Sequence, residues 1–383
     1  MLIDRPVGVD HESSRFADGR FSLSSQDRTL DHYQELMTIN ATAHVLRAGR
    51  ELGVLSALAE SQRTLEQLSE SLKLPAPRLK LFMQTLRAIG IVEKYGEDFA
   101  LSSTARLLCQ YDRDLGDDLW SQLSTTIRTA EVDPGESAPI PRERFDSLAA
   151  TQWVHTPAAM QAAEILNTID QPALTDSTPR DVEGDVAGEG RADESQVGGS
   201  QAETPPATSQ TKRLLDLGCG SGVWSCAIAH RDPALHVTAV DSPAAIQAAK
   251  TTAASIDLDD RFETRPGGLL DAELESTHYD YVLIAQQLHS LVPAQIDQVL
   301  SRAVAAVKPG GRVIVIDAYS ANHQPTLAES LEALRLAIET PAAAVPELKV
   351  AEDRMRRAGL DELQFTYIAA SRIGLGMMVG VKP

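Results

Sequence analysis

Residues 214–222 of this 383-residue chain read LLDLGCGSG, an apolar run that leads through Asp216 into three alternating glycines. Glycines in such a loop let the backbone turn tightly and approach a ligand closely, and they leave the amino terminus of the following helix facing that ligand. A dinucleotide fingerprint, GxGxxG, would need its third glycine at position 223, where this chain has Val223. The spacing here is GxGxG, so it predicts a strand, a ligand-binding turn and a helix without the usual dinucleotide fingerprint.

A second acidic residue, at the end of the next predicted strand, supports the prediction of a ligand-binding turn. Asp241 ends the next β-prone run, LHVTAVD, nineteen residues after Gly222. An acid at the tip of the second strand is placed to accept hydrogen bonds from both hydroxyls of a ribose. The alternatives are a helix cap before Pro243 for Asp241 and a ligand-free strand-to-helix turn for the glycines. Together the two features favour a nucleoside ligand.

The rest of the carboxyl-terminal half alternates strands and helices. The runs YDYVLIA and GGRVIVIDA are rich in Val, Ile and Leu, as strands buried in a parallel sheet should be. The clearest helix spans residues 292–307 and ends at Lys308-Pro309-Gly310-Gly311. The last two runs, LQFTYIA and GLGMMVGV, could close the sheet as a hairpin. This order predicts an α/β fold with a doubly wound sheet and a ligand at the carboxyl ends of the strands.

The amino-terminal part is predicted to be mostly helical. Thr64 and Gln67 have the capping-box spacing at the start of one short helix. The next helix can open at Pro77 and close at Gly90, with one apolar face made by Leu79, Phe82, Met83, Leu86 and Ile89. Two β-prone runs, at residues 91–102, then have the pattern of a hairpin. A helix-turn-helix followed by a hairpin is a winged helix.

Charge argues against DNA as the ligand of this winged helix. The chain has 54 acidic residues against 35 Lys plus Arg, a formal charge of -19, which repels phosphates and anionic lipid. Residues 60–106 carry seven basic and six acidic residues, and the wing itself carries Glu93, Glu97 and Asp98. We therefore expect neither nucleic acid nor a membrane as a partner.

The cysteines and the termini indicate the cellular setting. Cys109, Cys219 and Cys226 are an odd, unclustered set without a CxxC pair, which argues against a disulfide framework or a structural zinc site. We find neither a signal peptide pattern at the start nor 18 uninterrupted apolar residues. A cytoplasmic location is expected.

Composition divides the chain into four parts. Residues 176–210 contain no Leu, Ile, Met or aromatic residue and have a net charge of -6, so they predict an acidic disordered linker or insertion. We expect a winged-helix domain at 28–110, a helical connector at 111–175, and the ligand-binding domain at 211–383.

With these features the chain resembles the S-adenosylmethionine-dependent small-molecule O-methyltransferases. The resemblance rests on DLGCGSG and VDSP in the cofactor-binding part, and on ATAHVLRAGRELGVLSAL through LSSTARLL in the amino-terminal part. It covers about residues 35 to 383 except the acidic insertion. It implies a Rossmann-like methyltransferase domain of seven strands, preceded by a winged-helix dimerisation domain at 28–110 and by a connector at 111–175 that contributes to the substrate pocket. It also implies S-adenosyl-L-methionine as cofactor and a homodimer formed through the amino-terminal domain.

The resemblance also implies the cofactor site. Its residues would be Asp216, Gly218, Gly220, Gly222, Asp241, Gly268 and Leu269. One position departs from the family pattern. The family usually has Gly-Asp at the adenine after the third strand, whereas RPGGLLD puts Gly267-Gly268 there. Adenine recognition would then pass to backbone groups, to Leu269 or to Asp271.

The implied catalytic base is His289, in AQQLHSLV, where Ser290 and Leu291 stand in place of the family's Asp-Trp. Its ordinary pKa near 6.5 leaves a neutral fraction that can accept a phenolic proton at cellular pH. Asp317, at the end of VIVID, would orient and stabilise the imidazole. The alternatives are a solvent-facing loop histidine and a strand-end turn residue. The nine histidines form no HxxxH or comparable cluster, so no metal is expected.

The function implied is direct in-line methyl transfer to a hydroxyl of a small, aromatic or polyketide-like metabolite. Met160 and Trp153 would contact this acceptor, although a methionine at helical spacing also suits a core. Two other functions stay open at this point. One is a relative that uses the cofactor in decarboxylation or hydroxylation, and the other is a non-enzymatic winged-helix regulator.

Overall fold

A computed structural model describes residues 28–111, 116–128, 142–170, 211–320, 324–339 and 345–383, without the side chains of Tyr111 and of residues 142–153. The chain divides into two compact units, Met1–Gln110 and Tyr111–Pro383. The acidic segment 176–210 lies outside the described residues. No helix within the described ranges has the length and apolar character needed to cross a bilayer.

The first unit is mostly helical. Its elements are α1 (Thr29–Glu51), α2 (Val54–Glu60), β1 (Arg63–Thr64), α3 (Leu65–Leu72), α4 (Ala76–Ala88), β2 (Val92–Tyr95) and β3 (Asp98–Leu101), and α5 (Ser103–Tyr111) follows. The three strands form an antiparallel sheet in the order β1-β3-β2. The predicted capping box is confirmed, because the Gln67 N–H donates to Thr64 Oγ1 and the Thr64 N–H donates to Gln67 Oε1. The core of this unit contains Val54, Leu58, Leu68, Met83 and Leu86.

The second unit begins with three helices and continues as alternating strands and helices. Its helices are α6 (Asp117–Ser121), α7 (Leu123–Arg128), α8 (Arg142–Asp170), α9 (Val223–Arg231), α10 (Pro243–Ala254), α11 (Pro293–Ala306), α12 (Leu327–Glu339) and α13 (Leu348–Arg357). Its strands are β4 (Lys212–Leu217), β5 (Leu235–Asp241), β6 (Phe262–Pro266), β7 (Tyr279–Ala285), β8 (Val307–Ala318), β9 (Asp361–Tyr367) and β10 (Leu375–Val381). Two short 3-10 helices span Asp259–Arg261 and Leu288–Ser290.

Seven strands form one sheet in the order β6-β5-β4-β7-β8-β10-β9. The first five are parallel, and β10 runs antiparallel to both of its neighbours. The predicted α/β fold class is thereby confirmed, and the last two runs do pair with each other, with β10 lying between β8 and β9. The carboxyl ends of β4, β5, β6 and β7 meet at one edge, which is where a ligand is expected in such a sheet.

Both faces of the sheet are covered. On one face α8 and α9 pack against the strands, and the small residues Ala158, Ala159, Ala162 and Ala163 let α8 approach closely. On the other face α11 contributes Val299, Leu300 and Ala303 to a second core. Each fully buried Leu, Ile or Val contributes about 1.5–3 kcal/mol. The strand ends are therefore held on a rigid support.

The last residue of α8 is tied to the opposite edge of the sheet. The Asp170 carboxylate accepts a hydrogen bond from Tyr281 Oη near the start of β7 and one from Arg312 Nε, at 2.8 Å, on β8. Lys212, the first residue of β4, places its Nζ 5.8 Å from the centre of the Tyr281 ring. Tyr281 thus contacts the chain on both sides of residues 171–210.

Candidate active site

The glycine loop joins β4 to α9 in a conformation that requires glycine. Gly218, Gly220 and Gly222 have φ values of +81°, +53° and +71°. Other L-residues lose roughly 1–2 kcal/mol each in this left-handed region. The N–H groups of Gly218 and Cys219 both donate to the Val240 carbonyl, at 2.8 and 3.2 Å, so the loop is fixed to the end of β5.

A glutamine closes one side of this loop. Gln287 lies between β7 and the 3-10 helix, and its Nε2 donates to the Gly218 carbonyl at 2.9 Å. A Cβ atom at position 218 would lie 2.8 Å from both Cγ and Cδ of Gln287. Gly218 is therefore required both by its φ angle and by the side chain packed against it.

Asp241 connects the tip of β5 to the glycine loop. Its Oδ2 accepts a hydrogen bond from the Gly220 N–H at 2.8 Å, and its Oδ1 accepts one from the Ser242 N–H at 2.6 Å. Burial raises the pKa of this carboxyl group, whereas the hydrogen bonds from Gly220 and Ser242 lower it. Each carboxylate oxygen can accept a further hydrogen bond, so two ribose hydroxyls could still bind here.

Asp216 is a buried carboxyl group with one unpaired oxygen. Its Oδ2 accepts a hydrogen bond from Ser225 Oγ at 2.5 Å, while Oδ1 has no partner within the described residues. The residue is 1% exposed, and this burial raises its pKa to about 7. A buried acceptor without a partner is costly unless a ligand pairs with it. Asp216 is therefore suited to a cationic group bound beside the glycine loop.

His289 and Asp317 form a pair at the carboxyl ends of β7 and β8. His289 Nδ1 lies 2.6 Å from Asp317 Oδ1, and the backbone N–H of His289 donates to Asp317 Oδ2 at 3.1 Å. The Ala318 N–H also donates to Oδ1, at 2.9 Å. Asp317 is 2% exposed. This carboxylate holds the proton on Nδ1 and leaves Nε2 free to accept another.

The charges around His289 favour its protonated form. Burial alone lowers the pKa of His289, but the charge and the hydrogen bond of Asp317 outweigh it, so the pKa is raised overall. Two residues of α12 act in opposite directions, because Arg335 lowers this pKa and Glu332 raises it. Arg335 is itself paired with Glu332 and Glu339. His289 is thus a stronger base than a free histidine.

A small cavity borders the pair from within the fold. It has a volume of about 50 Å³. It is lined by residues of β8, α11 and α13, among them Asp317 and Arg354, and also by His289 and Tyr319. Small-molecule pockets typically have about 300–1,000 Å³. This cavity is therefore too small to hold a metabolite.

Comparison with known proteins fits this geometry. The methyltransferase domain family matches residues 214–311. Mitomycin biosynthesis 6-O-methyltransferase from Streptomyces lavendulae is 25% identical over 291 residues, which are 72% of this chain and 73% of that protein. The chain therefore contains a methyltransferase domain at residues 214–311 and is similar to an O-methyltransferase over most of its length.

Solved structures of other methyltransferases share the fold. Human N-acetylserotonin methyltransferase, solved with S-adenosylmethionine, superposes with a TM-score of 0.62 at 16% identity and covers 94% of this chain and 99% of its own. Mitomycin 7-O-methyltransferase superposes with a TM-score of 0.63 at 19% identity and covers 92% of this chain and 98% of its own. At identities of 16% and 19%, the structural likeness shows only that this methyltransferase has the same fold.

The residues of this methyltransferase fit its cofactor, S-adenosylmethionine. The unpaired Asp216 Oδ1 suits the ammonium group of the methionine part, and the glycine loop leaves room for a ligand to approach its backbone. Asp241 suits the ribose. Gly268 and Leu269 lie in the turn after β6, beside the end of β5.

The predicted acceptor residues lie on α8. Met160 is half-buried and packs against the core on the α8–α9 face, which matches the alternative of a packing role. The side chain of Trp153 lies outside the described residues. His155 has its ring centre 6.0 Å from that of Trp224, and burial lowers its pKa. The charges of Glu332 and Arg335 act on the pKa of His155 as well as on that of His289.

Sequence reasoning missed Gln287 and Ser225. Gln287 carried one usable signal, since it is a polar residue directly after a buried strand, but its contact with Gly218 joins residues 69 apart. Ser225 stands three residues after Gly222 and shares the first turn of α9. Its bond to Asp216 could have been suspected from that placement.

Replacing Asp216 with asparagine is expected to stabilise the cofactor-free methyltransferase at pH 8 by about 1–3 kcal/mol, because a neutral amide loses less hydration energy on burial. The pKa of about 7 in the folded state exceeds the ordinary aspartate value of 3.8, so between these pH values the folded state holds a proton that the unfolded state has lost. The stability of the wild-type protein therefore falls as pH rises through this window. The advantage of Asp216→Asn should shrink at pH 5, as measured by thermal unfolding. The exposed Asp260→Asn serves as control, and an equal effect at both pH values would contradict the argument.

Proposed function

We propose that this methyltransferase methylates a hydroxyl group of a small aromatic or polyketide-like metabolite, with His289 as general base and Asp317 as its positioning residue. The observation that carries this proposal is the 2.6 Å contact between His289 Nδ1 and Asp317 Oδ1 at the carboxyl end of the sheet. The glycine loop and Asp241 lie at the same edge. The strand order thus supports a proposed base close to the residues proposed to bind a nucleoside.

Each residue has a defined part in the proposed mechanism. When bound, S-adenosylmethionine supplies a methyl group on a sulfonium sulfur. His289 Nε2 accepts the proton of the acceptor hydroxyl as the oxygen becomes nucleophilic. In the neutral imidazole the buried Asp317 carboxylate would hold the proton on Nδ1, so that Nε2 can accept one, and it would stabilise the imidazolium after the transfer. Holding the acceptor oxygen in line with the methyl carbon contributes by proximity.

Each proposed cofactor residue is assigned to one part of S-adenosylmethionine. Asp241 would accept hydrogen bonds from the ribose hydroxyls, and Asp216 would pair with the ammonium group. Gly218, Gly220 and Gly222 would pass close to the amino acid and ribose parts. The backbone of Gly268 and Leu269 would border the adenine.

The class of acceptor is supported by the relatives. Their names are mitomycin biosynthesis 6-O-methyltransferase, mitomycin 7-O-methyltransferase and N-acetylserotonin methyltransferase, and mitomycin and N-acetylserotonin are small molecules. Met160 and Trp153 are proposed to contact the acceptor from α8. We also propose that the enzyme works in the cytoplasm.

The calorimetric titration of S-adenosylmethionine and S-adenosylhomocysteine tests the cofactor site. We expect micromolar dissociation constants for the wild-type protein. Asp241→Ala should weaken binding by about 1.5–3 kcal/mol, the scale of lost hydrogen bonds to a charged group, which is roughly 10- to 150-fold. Unchanged affinity would remove Asp241 from the site.

Binding then justifies a turnover assay. Phenols and hydroxylated polyketides are incubated with the cofactor, and the products are analysed for a methyl group on oxygen and for S-adenosylhomocysteine in equal amount. A product that lacks the added methyl group would contradict the proposed reaction.

The first unit is proposed to be a winged-helix dimerisation domain. α1 exposes large apolar residues in its first three turns, with exposed fractions of 63% for Leu30, 61% for Tyr33, 54% for Leu36, 51% for Met37 and 60% for Ile39. Leu30, Tyr33 and Met37 share one helix face by their spacing of three and seven. An apolar face of this kind is typical of protein interfaces, and a second copy would cover it.

Sedimentation analysis of the full chain should show a dimer. Tyr33→Glu combined with Met37→Glu should shift it to a monomer, because two charges would be buried without partners. Gln34→Glu, on the neighbouring exposed position, should leave the dimer intact. A wild-type monomer at micromolar concentration would contradict this proposal.

A further inference from the structure

The carboxylate of Asp317 can accept one more hydrogen bond than the described residues donate to it. A carboxylate has about four acceptor positions, two on each oxygen. Oδ1 accepts from the His289 ring and from the Ala318 N–H, whereas among the described residues Oδ2 accepts only from the His289 backbone N–H. Asp317 is 2% exposed, so bulk water has little access to it. The remaining position on Oδ2 is therefore open to a donor inside the protein.

Tyr319 carries a buried hydroxyl group that has no partner among the described residues. The residue is 6% exposed, and its Oη makes no hydrogen bond to another described residue. Burial and the charge of Asp317 raise the pKa of this hydroxyl well above its ordinary value, so it stays protonated and can donate. A buried donor that stays unpaired is costly. Tyr319 thus has an unused donor, and Asp317 has an unused acceptor position.

The small cavity between β8, α11 and α13 joins these two groups. Val315, Asp317 and Tyr319 are alternate residues at the end of β8, so they lie on one face, and all three line the cavity. Its volume of about 50 Å³ exceeds the roughly 10–15 Å³ that one water needs. Arg354 also lines it, and while its Nη1 donates to Asp297 at 2.7 Å, its Nε and Nη2 donate to no described residue. A water here has the two to four polar partners that are typical of buried water.

The ring of Tyr319 is held in place by packing. It meets the Phe365 ring edge-on, with 5.3 Å between the ring centres and an angle of 85° between the planes. A Cβ atom at position 376 would lie 3.1 Å from Tyr319 Cδ2, so Gly376 on β10 leaves the space that the ring occupies. The ring is thereby fixed with its hydroxyl group inside the fold.

We propose that Tyr319 is a positioning residue for the methyl transfer, and that its hydroxyl donates to Asp317 Oδ2 through water held in this cavity. The inference rests on the proposed role of His289 as general base. The water link would hold the carboxylate in the orientation that contacts the histidine ring. It would also draw negative charge toward Oδ2 and away from that contact.

The consequence for His289 has a defined sign. Asp317 raises the pKa of His289, and a donor to Oδ2 weakens this effect. Loss of the Tyr319 hydroxyl should therefore raise the pKa of His289 further. The other charged groups around the histidine and the cavity lie on α12 and α13 and are unchanged by this loss: Glu332, Arg335 and, paired with Asp297, Arg354.

The pKa of His289 itself tests the link without turnover. It is measured by NMR titration of the full chain with isotope-labelled histidine, and His289→Ala assigns the signal. Tyr319→Phe keeps the packed ring but removes the donor, so the pKa of His289 should rise by about half a pH unit. Damage to the packing would instead loosen the contact with Asp317 and lower this pKa. Tyr367→Phe, at a tyrosine of β9 that is 43% exposed, is the matched control and should change nothing.

Two further variants test the route through water and carboxylate. Ala351 lines the cavity, so Ala351→Val should displace the water and raise the pKa of His289 although Tyr319 is intact. In the Asp317→Asn protein, Tyr319→Phe should have no further effect, because the carboxylate through which it acts is gone. The proposal is overturned by an unchanged or lowered pKa in Tyr319→Phe, by Ala351→Val without the rise, or by a full effect of Tyr319→Phe beside Asp317→Asn.

The pH dependence of methyl transfer gives a second readout. In Tyr319→Phe the rising limb should move to higher pH, so the rate falls about threefold below the limb and changes little above it. A limb that stays in place would contradict the proposed positioning role. If turnover did not depend on His289 at all, the proposed base would be wrong, and the NMR titration would still decide separately whether Tyr319 acts on Asp317.

Discussion

Replacing His289 with alanine is expected to lower the rate of methyl transfer by about a hundredfold to ten-thousandfold, the usual contribution of a positioned general base. The affinity for S-adenosylhomocysteine should change little, because the proposed cofactor residues lie on β4, in the glycine loop, at the end of β5 and in the turn after β6. Without the imidazole, the hydroxyl proton must pass to water as the new bond forms. The loss should be greatest for weakly acidic hydroxyls and smaller for acidic phenols, which ionise without a base.

Single-turnover rates with bound cofactor measure this effect without interference from product release. His236→Ala serves as the matched control, since His236 is an exposed histidine on β5. The same rate in wild type and His289→Ala, across acceptors of different acidity, would show that His289 is not the base.

Asp317→Asn is expected to lower turnover by about a hundredfold to a thousandfold while the protein stays folded. Both carboxylate oxygens of Asp317 accept from N–H groups, Oδ1 from Ala318 and the His289 ring and Oδ2 from the His289 backbone. An asparagine must turn its NH₂ group toward one of these donors. If it faces the ring, it donates to Nδ1 and moves the histidine proton to Nε2, the atom that must accept the substrate proton.

The pH dependence distinguishes this positioning role from simple damage. Asp317 raises the pKa of His289, so the wild-type activity rises with pH through a raised value. Without the negative charge, the rising limb for Asp317→Asn should move to lower pH. A reduced rate with an unmoved limb would contradict the proposed coupling, and Asp353→Asn, a half-exposed acid on α13, provides the control.

The sequence was most informative where structure is local. The capping box at Thr64 depends on four consecutive residues, and the helix α11 depends on one apolar face that ends at a proline and two glycines, so both could be predicted. The buried strands β4, β5, β7 and β8 could be predicted because their segments are rich in Val, Ile and Leu. β6 did not, because Phe262–Pro266 contains two charged residues and a proline and becomes a strand by pairing with β5.

The candidate site follows the same division. The glycine loop and Asp241 could be predicted to lie together. They stand at the carboxyl ends of two successive strands, and in a parallel sheet these ends share one edge. The contacts of Gln287 with Gly218 and of Arg302 with the turn after β6 join distant parts of the chain, and nothing in the local sequence encodes them. The roles assigned to His289, Asp317, Met160 and Trp153 stay predictions until the variants are measured.

The anchoring of Asp170 has a consequence for how this chain can be altered. Tyr281 contacts both Asp170 and Lys212, so the 41 residues between these two anchors start at the end of α8 and finish at the start of β4, at neighbouring points on the edge of the sheet opposite the proposed active site. The segment between Asp170 and Lys212 is therefore a site at which the chain can be shortened or replaced. A short connection should bridge it, and shortening a loop fivefold changes the closure free energy by only about 1–2 kcal/mol. A reporter domain or an affinity tag inserted in place of this segment should therefore leave the proposed active site unchanged. The same should hold for natural changes in the length of the segment.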